Sequence, residues 1–285
     1  MKKRKLKEQI QSGELIIAPG IYDVVSALMA DQMGFGALYV TGYGTVASYM
    51  GIPDAGIATY TDMLHRISRF AELTQTPIIA DADTGYGGLL NVAHTVRGYE
   101  KAGVAAIQLE DQEFPKKCGH TPGRRVIAAE EMVKKIKVAC DARASDDFLI
   151  VARTDARSSL GIDEAISRAQ MYADAGADIL FVESPETEEE MRKICRNIDK
   201  PVLANLVPGG KTPMLSASRL QEMGYAIAIH PVTGFLAAAQ TLEKSYSELK
   251  ISGNLDSSID LYSFAKFNEL IGFPAVWEFD KKYAE

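Results

Sequence analysis

Short apolar runs alternate along the chain with longer segments in which apolar residues recur every three or four positions. The short runs are typical of buried β-strands, and the longer spacing is typical of amphipathic helices. This pattern predicts eight strands, at residues 15–18, 37–41, 77–82, 105–110, 148–153, 179–183, 201–205 and 226–230. Helices are predicted between them, including those at 91–102, 129–143, 162–175, 187–198 and 216–223.

Eight successive strand and helix units predict the fold class. Such an alternation is typical of a parallel sheet covered by helices. With no residues left over for a second domain, it favours a closed (β/α)8 TIM barrel over an open sheet. The 285 residues are therefore predicted to form a single barrel domain, 1–285. An extra amphipathic stretch at 261–271 predicts a C-terminal helical extension over 258–285, whose aromatic residues need a surface to pack against.

The composition excludes several classes of protein. A net charge of -7 leaves no basic face for the phosphates of a nucleic acid. No apolar stretch approaches the roughly 20 residues that span a bilayer, and the basic opening residues lead into an amphipathic segment, unlike a signal peptide. Three cysteines, an odd number, indicate free thiols in a reducing compartment. These features predict a cytoplasmic protein with no nucleic-acid or membrane partner.

Polar side chains end nearly every predicted strand, where TIM-barrel enzymes carry their chemistry. Asp81 and Asp83 follow the third strand, and Glu110 ends the fourth. These acids can surround one hard cation with oxygen, and Mg²⁺ fits best, bound partly through water. Mn²⁺ can substitute, whereas Zn²⁺ is not favoured because no His and Cys pair has ligand spacing. For any single residue of this set, a helix cap is the alternative explanation.

Other strand ends predict a site for an anion. Arg153 ends the fifth strand, and its planar guanidinium can clamp a carboxylate. The backbone N–H groups around Thr41, Gly42 and Tyr43 can hold the same anion. The predicted ligand is a small anionic acid.

The fourth strand opens into a loop with the run Lys116-Lys117-Cys118-Gly119-His120. Nearby cations favour the thiolate of Cys118, so this group can give or take a proton near neutral pH. Cys118 is therefore a candidate general acid. The alternative is a solvated surface loop in which the cysteine is incidental.

These motifs resemble the isocitrate lyase and phosphoenolpyruvate mutase superfamily over essentially the whole chain. The resemblance rests on the cysteine run and on Asp81-Ala82-Asp83-Thr84-Gly85-Tyr86-Gly87, Leu109-Glu110-Asp111-Gln112, Ala152-Arg153-Thr154-Asp155-Ala156 and Ile52-Pro53-Asp54. It implies a (β/α)8 barrel with Mg²⁺ at its mouth, held directly or through water by Asp54, Asp81, Asp83 and Glu110. It also implies a cysteine loop that closes over substrate, and a homotetramer whose C-terminal helices are exchanged between subunits.

The roles of the remaining site residues are expected from the same resemblance. The residues predicted to act in catalysis are Cys118 as the acid, Tyr39 as a candidate proton acceptor, His120 and Glu183. The residues predicted to bind substrate are Thr41, Gly42, Tyr43, Gly119, Arg153 and Asn205.

Cys118 favours the carbon–carbon lyases of the superfamily, since members that act on carbon–phosphorus bonds lack this cysteine. Methylisocitrate lyases carry an arginine at the position of Leu236, so a third substrate carboxylate would lack a partner here. Other segments resemble the group of 2,3-dimethylmalate lyase and petal death protein. The expected reaction is retro-aldol cleavage of a 2-alkylmalate such as 2,3-dimethylmalate, which gives pyruvate and propionate.

Three alternatives stay open at this point. Oxaloacetate also presents two carboxylates and a 2-oxygen, so its hydrolysis or decarboxylation on the same scaffold is the first. Cleavage of methylisocitrate is the second, if another cation such as Lys211 replaces the missing arginine. The third is a non-catalytic barrel that binds acids, which leaves Cys118 and the metal acids without a role.

Overall fold

The computed structural model describes residues 5–119, 121, 123–255 and 259–284. Eight parallel strands form a closed barrel in chain order, in which the last strand pairs with the first. The strands are β1 (Ile16–Ile21), β2 (Leu38–Val40), β3 (Ile78–Asp81), β4 (Ala106–Glu110), β5 (Leu149–Thr154), β6 (Ile179–Val182), β7 (Val202–Asn205) and β8 (Ile227–His230). The predicted (β/α)8 barrel is confirmed.

Seven strands begin and end within one residue of the predicted positions, and β1 is the exception because it continues to Ile21. Pro19 and Gly20 are poor strand formers, which is why the local pattern stops before them. In the barrel, Pro19 is in register with His230 of β8, and Gly20 is in register with Tyr39 of β2. Pairing with both neighbours therefore extends β1 beyond its local propensity. A Cβ on Gly20 would collide with the backbone of Pro231.

Helices follow each strand along the chain. They are α1 (Leu6–Gln11), α2 (Val24–Gln32), α3 (Gly42–Met50), α4 (Tyr60–Leu73), α5 (Leu89–Ala102), α6 (Ala129–Ala142), α7 (Arg157–Leu160), α8 (Ile162–Asp174), α9 (Glu188–Asn197), α10 (Ala217–Met223), α11 (Thr233–Ser252), α12 (Phe264–Leu270) and α13 (Phe273–Tyr283). Among the described residues, no helix combines the length and hydropathy needed to cross a membrane.

The apolar core has two layers, as the alternation of side chains along barrel strands requires. The inner layer fills the barrel and includes Tyr39, Ile79, Val151 and Phe181. Leu6 of α1 belongs to this inner layer and is 1% exposed. The outer layer packs the strands against the helices. The filled interior leaves the ends of the strands as the place for a site.

The chain divides into two compact units, Met1–Gly234 and Phe235–Glu285. The first contains all eight strands. The second contains most of α11 together with α12 and α13, where the sequence pattern predicted an amphipathic helix at 261–271. Gly272 separates these last two helices at φ 92°, a backbone conformation that glycine adopts readily. The prediction of a single domain with an extension over 258–285 stays a prediction.

Candidate functional site

A small cavity at the C-terminal ends of the strands gathers most of the predicted site residues. Its volume is about 40 Å³. Eleven of the fourteen predicted residues line it, namely Tyr39, Thr41, Tyr43, Asp54, Asp81, Glu110, Cys118, Gly119, Arg153, Glu183 and Asn205. Gly42 and Asp83 lie next to these residues, while His120 lies outside the described residues. The cavity is small because residues 116–119 of the cysteine loop themselves form part of its wall.

A larger cavity of about 340 Å³ contains Tyr60, Tyr86, His94 and Phe114 among its lining residues. Its lining includes no carboxylate, thiol, lysine or arginine among the described residues. Size alone therefore does not locate the chemistry, and the smaller cavity is the candidate site because it concentrates the reactive groups.

Lys116 places its ammonium between two of the predicted metal acids. Its Nζ lies 2.5 Å from Oδ1 of Asp54 and 2.7 Å from Oδ1 of Asp83. Burial lowers the pKa of Lys116, but the carboxylates of Asp83 and Asp54 outweigh burial and raise it well above its ordinary value. Burial also raises the pKa of Asp83 to about 7, against the opposing effect of Lys116. The loop thus supplies a fixed positive charge to the acids.

The surroundings of Glu110 suit a hard divalent cation beside the acids. Oε1 of Glu110 is buried and has no hydrogen-bond partner in the described part of the chain. Burial raises the pKa of Glu110 well above its ordinary value, although Arg153 opposes this. A dication would stabilise the ionised form of such a group. The described residues hold no ready-made group of three acids, histidines or cysteines at ligand distance. Carboxylate oxygens are the ligand type of a hard ion such as Mg²⁺, which keeps several of its waters.

Arg153 is buried among three carboxylates. Its Nε and Nη2 donate to Asp155 at 2.8 and 2.9 Å. Its Nη1 lies 3.3 Å from Glu110, and its Nη2 lies 3.3 Å from Glu183. Burial lowers the pKa of Arg153, but Asp155 and Glu110 outweigh it, so the pKa is raised well above its ordinary value. The bidentate edge of the guanidinium is thus taken by Asp155, and the Nη1 end is the part that faces Glu110.

The cysteine loop is seated against the same groups. The side chain of Gln112 bonds both to the N–H of Lys117, at 3.0 Å, and to its carbonyl, at 2.8 Å. The carbonyl of Gly119 accepts a hydrogen bond from Oγ of Ser184 at 3.1 Å. A Cβ on Gly119 would collide with Nη2 of Arg153 and lie 2.7 Å from Oε2 of Glu183. Only glycine lets the loop approach so closely, and half-buried Cys118 precedes it in the cavity wall.

Glu183 is fixed by several donors. Its Oε1 accepts from the backbone N–H of Ser184 at 2.7 Å, and its Oε2 accepts from Nδ2 of Asn205 at 3.0 Å. Ser184 adopts φ 58°, which is unusual for a residue other than glycine. In this conformation the backbone N–H of Ser184 donates to Glu183 while its hydroxyl donates to the loop carbonyl of Gly119. The arrangement suits Glu183, predicted to act in catalysis, and Asn205, predicted to bind substrate, to orient the loop beside the site.

Tyr39 contacts the acids through an amide. Its hydroxyl donates to Oε1 of Gln108 at 3.0 Å, and Nε2 of Gln108 donates to Oδ1 of Asp81 at 3.3 Å. Burial raises the pKa of Tyr39 well above its ordinary value, and Asp81 adds to this effect. The phenol therefore holds its proton at neutral pH. This contact fits a positioning role, and the role of proton acceptor stays a prediction.

The predicted anion-binding amides lie in the first turn of α3. Thr41 caps this helix, and its Oγ1 accepts from the N–H of Gly44 at 3.3 Å. A Cβ on Gly42 would lie 2.6 Å from Oδ2 of Asp81, so glycine is needed for this turn to approach the acid. The positive end of a helix next to the acids and Arg153 is a suitable place for one end of an anion.

Sequence reasoning did not identify several residues that support the site. Gln108, Asp155 and Ser184 each contact a predicted site residue directly. Arg124 reaches the site from further along the loop and pairs with Asp155 at 2.6 Å. Asp155 belongs to the same sequence motif as Arg153, and Ser184 directly follows Glu183. The contacts of Gln108 with Tyr39, of Asp155 with Arg124 and of Ser184 with Gly119 join distant parts of the chain, so local sequence patterns do not predict them.

Comparison with known proteins gives a consistent result. The sequence matches the family model of phosphoenolpyruvate phosphomutase over residues 5–250. It is 46% identical over 281 residues to 2,3-dimethylmalate lyase of Eubacterium barkeri, with 98% of this chain and 97% of the relative covered. It is 43% identical over 281 residues to 2-methylisocitrate lyase of Aeropyrum pernix, with coverage of 98% and 89%.

Solved structures agree with these sequence matches. Oxaloacetate acetylhydrolase in complex with 3,3-difluorooxalacetate superposes with a TM-score of 0.92 at 34% identity, covering 99% of this chain and 97% of the other. A crystal structure of 2,3-dimethylmalate lyase gives 0.90 at 35% identity, with coverage of 97% and 93%. Phosphonopyruvate hydrolase in complex with oxalate and Mg²⁺ gives 0.88 at 30% identity, with both chains covered to 100%. The resemblance predicted from the sequence motifs is confirmed.

Proposed function

The chain belongs to the phosphoenolpyruvate phosphomutase and isocitrate lyase superfamily, and on this premise we propose that it is a carbon–carbon lyase that cleaves a 2-alkylmalate. The substrate proposed is 2,3-dimethylmalate, and the products are pyruvate and propionate. The observation that carries the proposal is the seating of the cysteine loop against Arg153 and Glu183, beside the acidic cluster. The 46% identity to 2,3-dimethylmalate lyase supports the choice of substrate.

The proposed reaction contains two proton transfers, one from the 2-hydroxyl group and one to C3. A base takes the proton of the 2-hydroxyl group, the C2–C3 bond breaks, and the electron pair of that bond remains on C3. The resulting enediolate carries two negative oxygens, which Arg153 and the first-turn amides of α3 stabilise. Cys118 then donates its proton to C3, which yields propionate as its carboxylate and leaves Cys118 as the thiolate. Glu183 and Asn205 keep Arg153 and the loop in place.

We propose Mg²⁺ as the cofactor, with Mn²⁺ as a substitute. Asp54, Asp81, Asp83 and Glu110 are the residues that would hold it, some of them through water. When bound, such an ion polarises the 2-oxygen and lowers the pKa of the 2-hydroxyl group. Support comes from the orphaned oxygen of Glu110 and from the relative whose structure contains oxalate and Mg²⁺.

Hydrolysis of oxaloacetate is the second candidate function. The superposition on oxaloacetate acetylhydrolase is as close as that on 2,3-dimethylmalate lyase, with TM-scores of 0.92 and 0.90. Both reactions break the carbon–carbon bond between C2 and C3. Both leave the enediolate of a short carboxylic acid, which the site would stabilise. Cleavage of methylisocitrate is less favoured, because Lys211, the cation considered for its third carboxylate, is not a lining residue of the cavity.

A substrate panel tests the choice. Pyruvate release is measured with and without Mg²⁺ from 2-methylmalate, 2,3-dimethylmalate and methylisocitrate, with NMR identification of the second product. Oxaloacetate is assayed separately by NMR for oxalate and acetate. We expect Mg²⁺-dependent formation of pyruvate and propionate from dimethylmalate. Turnover of oxaloacetate alone, with release of oxalate and acetate, would favour the second candidate.

We also propose that the chain forms a homotetramer in the cytoplasm, with C-terminal helices exchanged between subunits. Support comes from the aromatic residues of the second unit, where Phe264, Trp277 and Phe279 are half or more exposed. Exposed aromatic residues of this kind mark interaction surfaces. Light scattering of the purified protein is expected to give the mass of four chains, and the mass of a single chain would contradict the proposal.

A further inference from the structure

We propose that Asp155 and Arg124 are positioning residues that link the cysteine loop to Arg153. The inference rests on the proposed function for the task of Arg153, which is to bind the anionic part of the substrate. Neither residue lines the cavity. They therefore influence the site indirectly, by holding Arg153 and the loop in position.

Asp155 is the shared partner of two arginines. Its Oδ2 accepts from Nε of Arg153, and its Oδ1 accepts from Nη2 of Arg153 at 2.9 Å and from Nη1 of Arg124 at 2.6 Å. The carboxylate is 1% exposed. Its backbone N–H donates to Asp111 at 2.9 Å, which fixes the main chain below it. A bidentate ion pair in a buried place sets both the position and the plane of the guanidinium. Asp155 therefore determines which end of Arg153 is presented to the cavity.

Arg124 connects this carboxylate to the loop. It follows Cys118 by six positions, and it is 8% exposed although it belongs to a loop. Nη2 of Arg124 donates to Oγ of Ser158 at 2.5 Å. Asp155 and Ser158, which both follow β5 in the chain, therefore hold the guanidinium of Arg124. Gly119, on the other side of the same loop, packs directly on Arg153. The loop thus reaches Arg153 in two ways, directly by the packing of Gly119 and indirectly through Arg124 and Asp155.

This geometry implies energetic coupling between two events. Binding of an anion at Arg153 and seating of the loop both use the same orientation of Arg153, so each should favour the other by the same factor. Without Arg124, Asp155 retains one cation and the loop loses an anchor. Anion binding and ordering of the loop should then weaken together.

The test uses oxalate with Mg²⁺ as the probe, because it needs no turnover and does not depend on which acid the enzyme cleaves. The affinity for oxalate is measured by calorimetry, and ordering of the loop by hydrogen exchange of its amides, including that of Lys117, which bonds to Gln112. Arg124→Met is expected to weaken oxalate binding by about tenfold or more and to remove the protection that oxalate gives the loop. Arg124→Lys, which keeps the charge, is expected to recover part of both effects.

The matched control is Arg125→Met, one residue further along. Arg125 is 80% exposed and pairs with Glu113, so oxalate affinity and loop protection are expected to stay as in the wild type. If Arg124→Met folds poorly, Ser158→Ala is the fallback, because it removes one hydrogen bond to Arg124. It should weaken oxalate binding and loop protection as well, but less than Arg124→Met does.

Unchanged oxalate affinity with unchanged protection in Arg124→Met overturns the inference. Weakened affinity with normal protection overturns it as well, because the two events would then be independent.

Discussion

The ammonium of Lys116 lies 2.7 Å from Oδ1 of Asp83, so the cysteine loop supplies a cation to the acids that are proposed to hold Mg²⁺. The side chain of Lys116 is 3% exposed, and a second ion pair joins it to Asp54. Removing one partner of a buried ion pair typically costs about 3–5 kcal/mol, because the other charge stays buried without compensation. Lys116 is therefore expected to stabilise the metal-free protein.

Lys116→Met is expected to lower the free energy of unfolding of the metal-free protein by about 3 kcal/mol. Thermal unfolding in the presence of EDTA measures this change as a fall in Tm. Adding Mg²⁺ should recover part of the loss, since a ligand that binds the folded state stabilises it. Lys117→Met is the control, because the neighbouring lysine is exposed and its Nζ contacts the carbonyl of Gly123 at 3.3 Å. Equal stability of the two variants in EDTA would show that Lys116 is not the required counter-charge.

Cys118→Ser is expected to keep the fold and metal binding but to lose at least about two orders of magnitude in turnover, the usual scale for a removed general acid. A hydroxyl group gives up its proton far less readily than a thiol, which is the reason for the loss. Pyruvate release under saturating substrate measures it. Cys140→Ser is the control, since Sγ of Cys140 bonds to the carbonyl of Gly176 at 3.3 Å and a hydroxyl can make the same bond. Near-normal turnover of Cys118→Ser would place the acid elsewhere.

Gly119→Ala is expected to reduce turnover by about tenfold to a hundredfold, corresponding to about 1–3 kcal/mol of steric strain when the loop is seated. The added methyl group would collide with Arg153 and lie 2.7 Å from Glu183. Gly88→Ala serves as the control, because a Cβ at this position meets no atom of the described residues within 4 Å. The two variants are compared by turnover and by hydrogen exchange of the loop. Wild-type exchange together with wild-type turnover in Gly119→Ala would mean that the loop need not approach so closely.

The sequence was sufficient for the barrel because strands and helices have local signals. Polar residues at the strand ends were also predictable, since a parallel barrel brings all those ends to one face. The direction of Lys116 was not predictable, because a lysine in a loop is usually solvated, and only the folded loop shows that it turns inward to Asp54 and Asp83.

The ion pair between Arg124 and Asp155 could not be predicted from the sequence for a different reason. The two residues are 31 positions apart and belong to different loops, so no periodicity or motif relates them. The guanidinium of Arg153 shows a separate limit, since its partner is only two positions away along the chain. Its residue type predicted a carboxylate partner, but the chain itself supplies that partner in Asp155.

Asp155→Asn is expected to destabilise the protein by about 3–5 kcal/mol at neutral pH, because it leaves Arg153 and Arg124 buried without their shared carboxylate. The loss should depend on pH in a defined way. Burial raises the pKa of Asp155, but Arg153 and Arg124 outweigh burial and hold it below its ordinary value of 3.8. Stability from a carboxylate with a lowered pKa is fully present above the unfolded value and is lost as the pH falls through the folded value.

The difference in stability between the wild type and Asp155→Asn should therefore be constant above about pH 5 and shrink below pH 3.8. Thermal unfolding of both proteins from acidic to neutral pH, followed by circular dichroism, measures this difference. Glu164→Gln is the comparison, since Glu164 is 43% exposed in its pair with Arg168 and its removal should cost less than about 1 kcal/mol. A difference that stayed constant through the acidic range would mean that the pKa of Asp155 is the same in the folded and unfolded protein, and the shared ion pair with the two arginines would have to be abandoned.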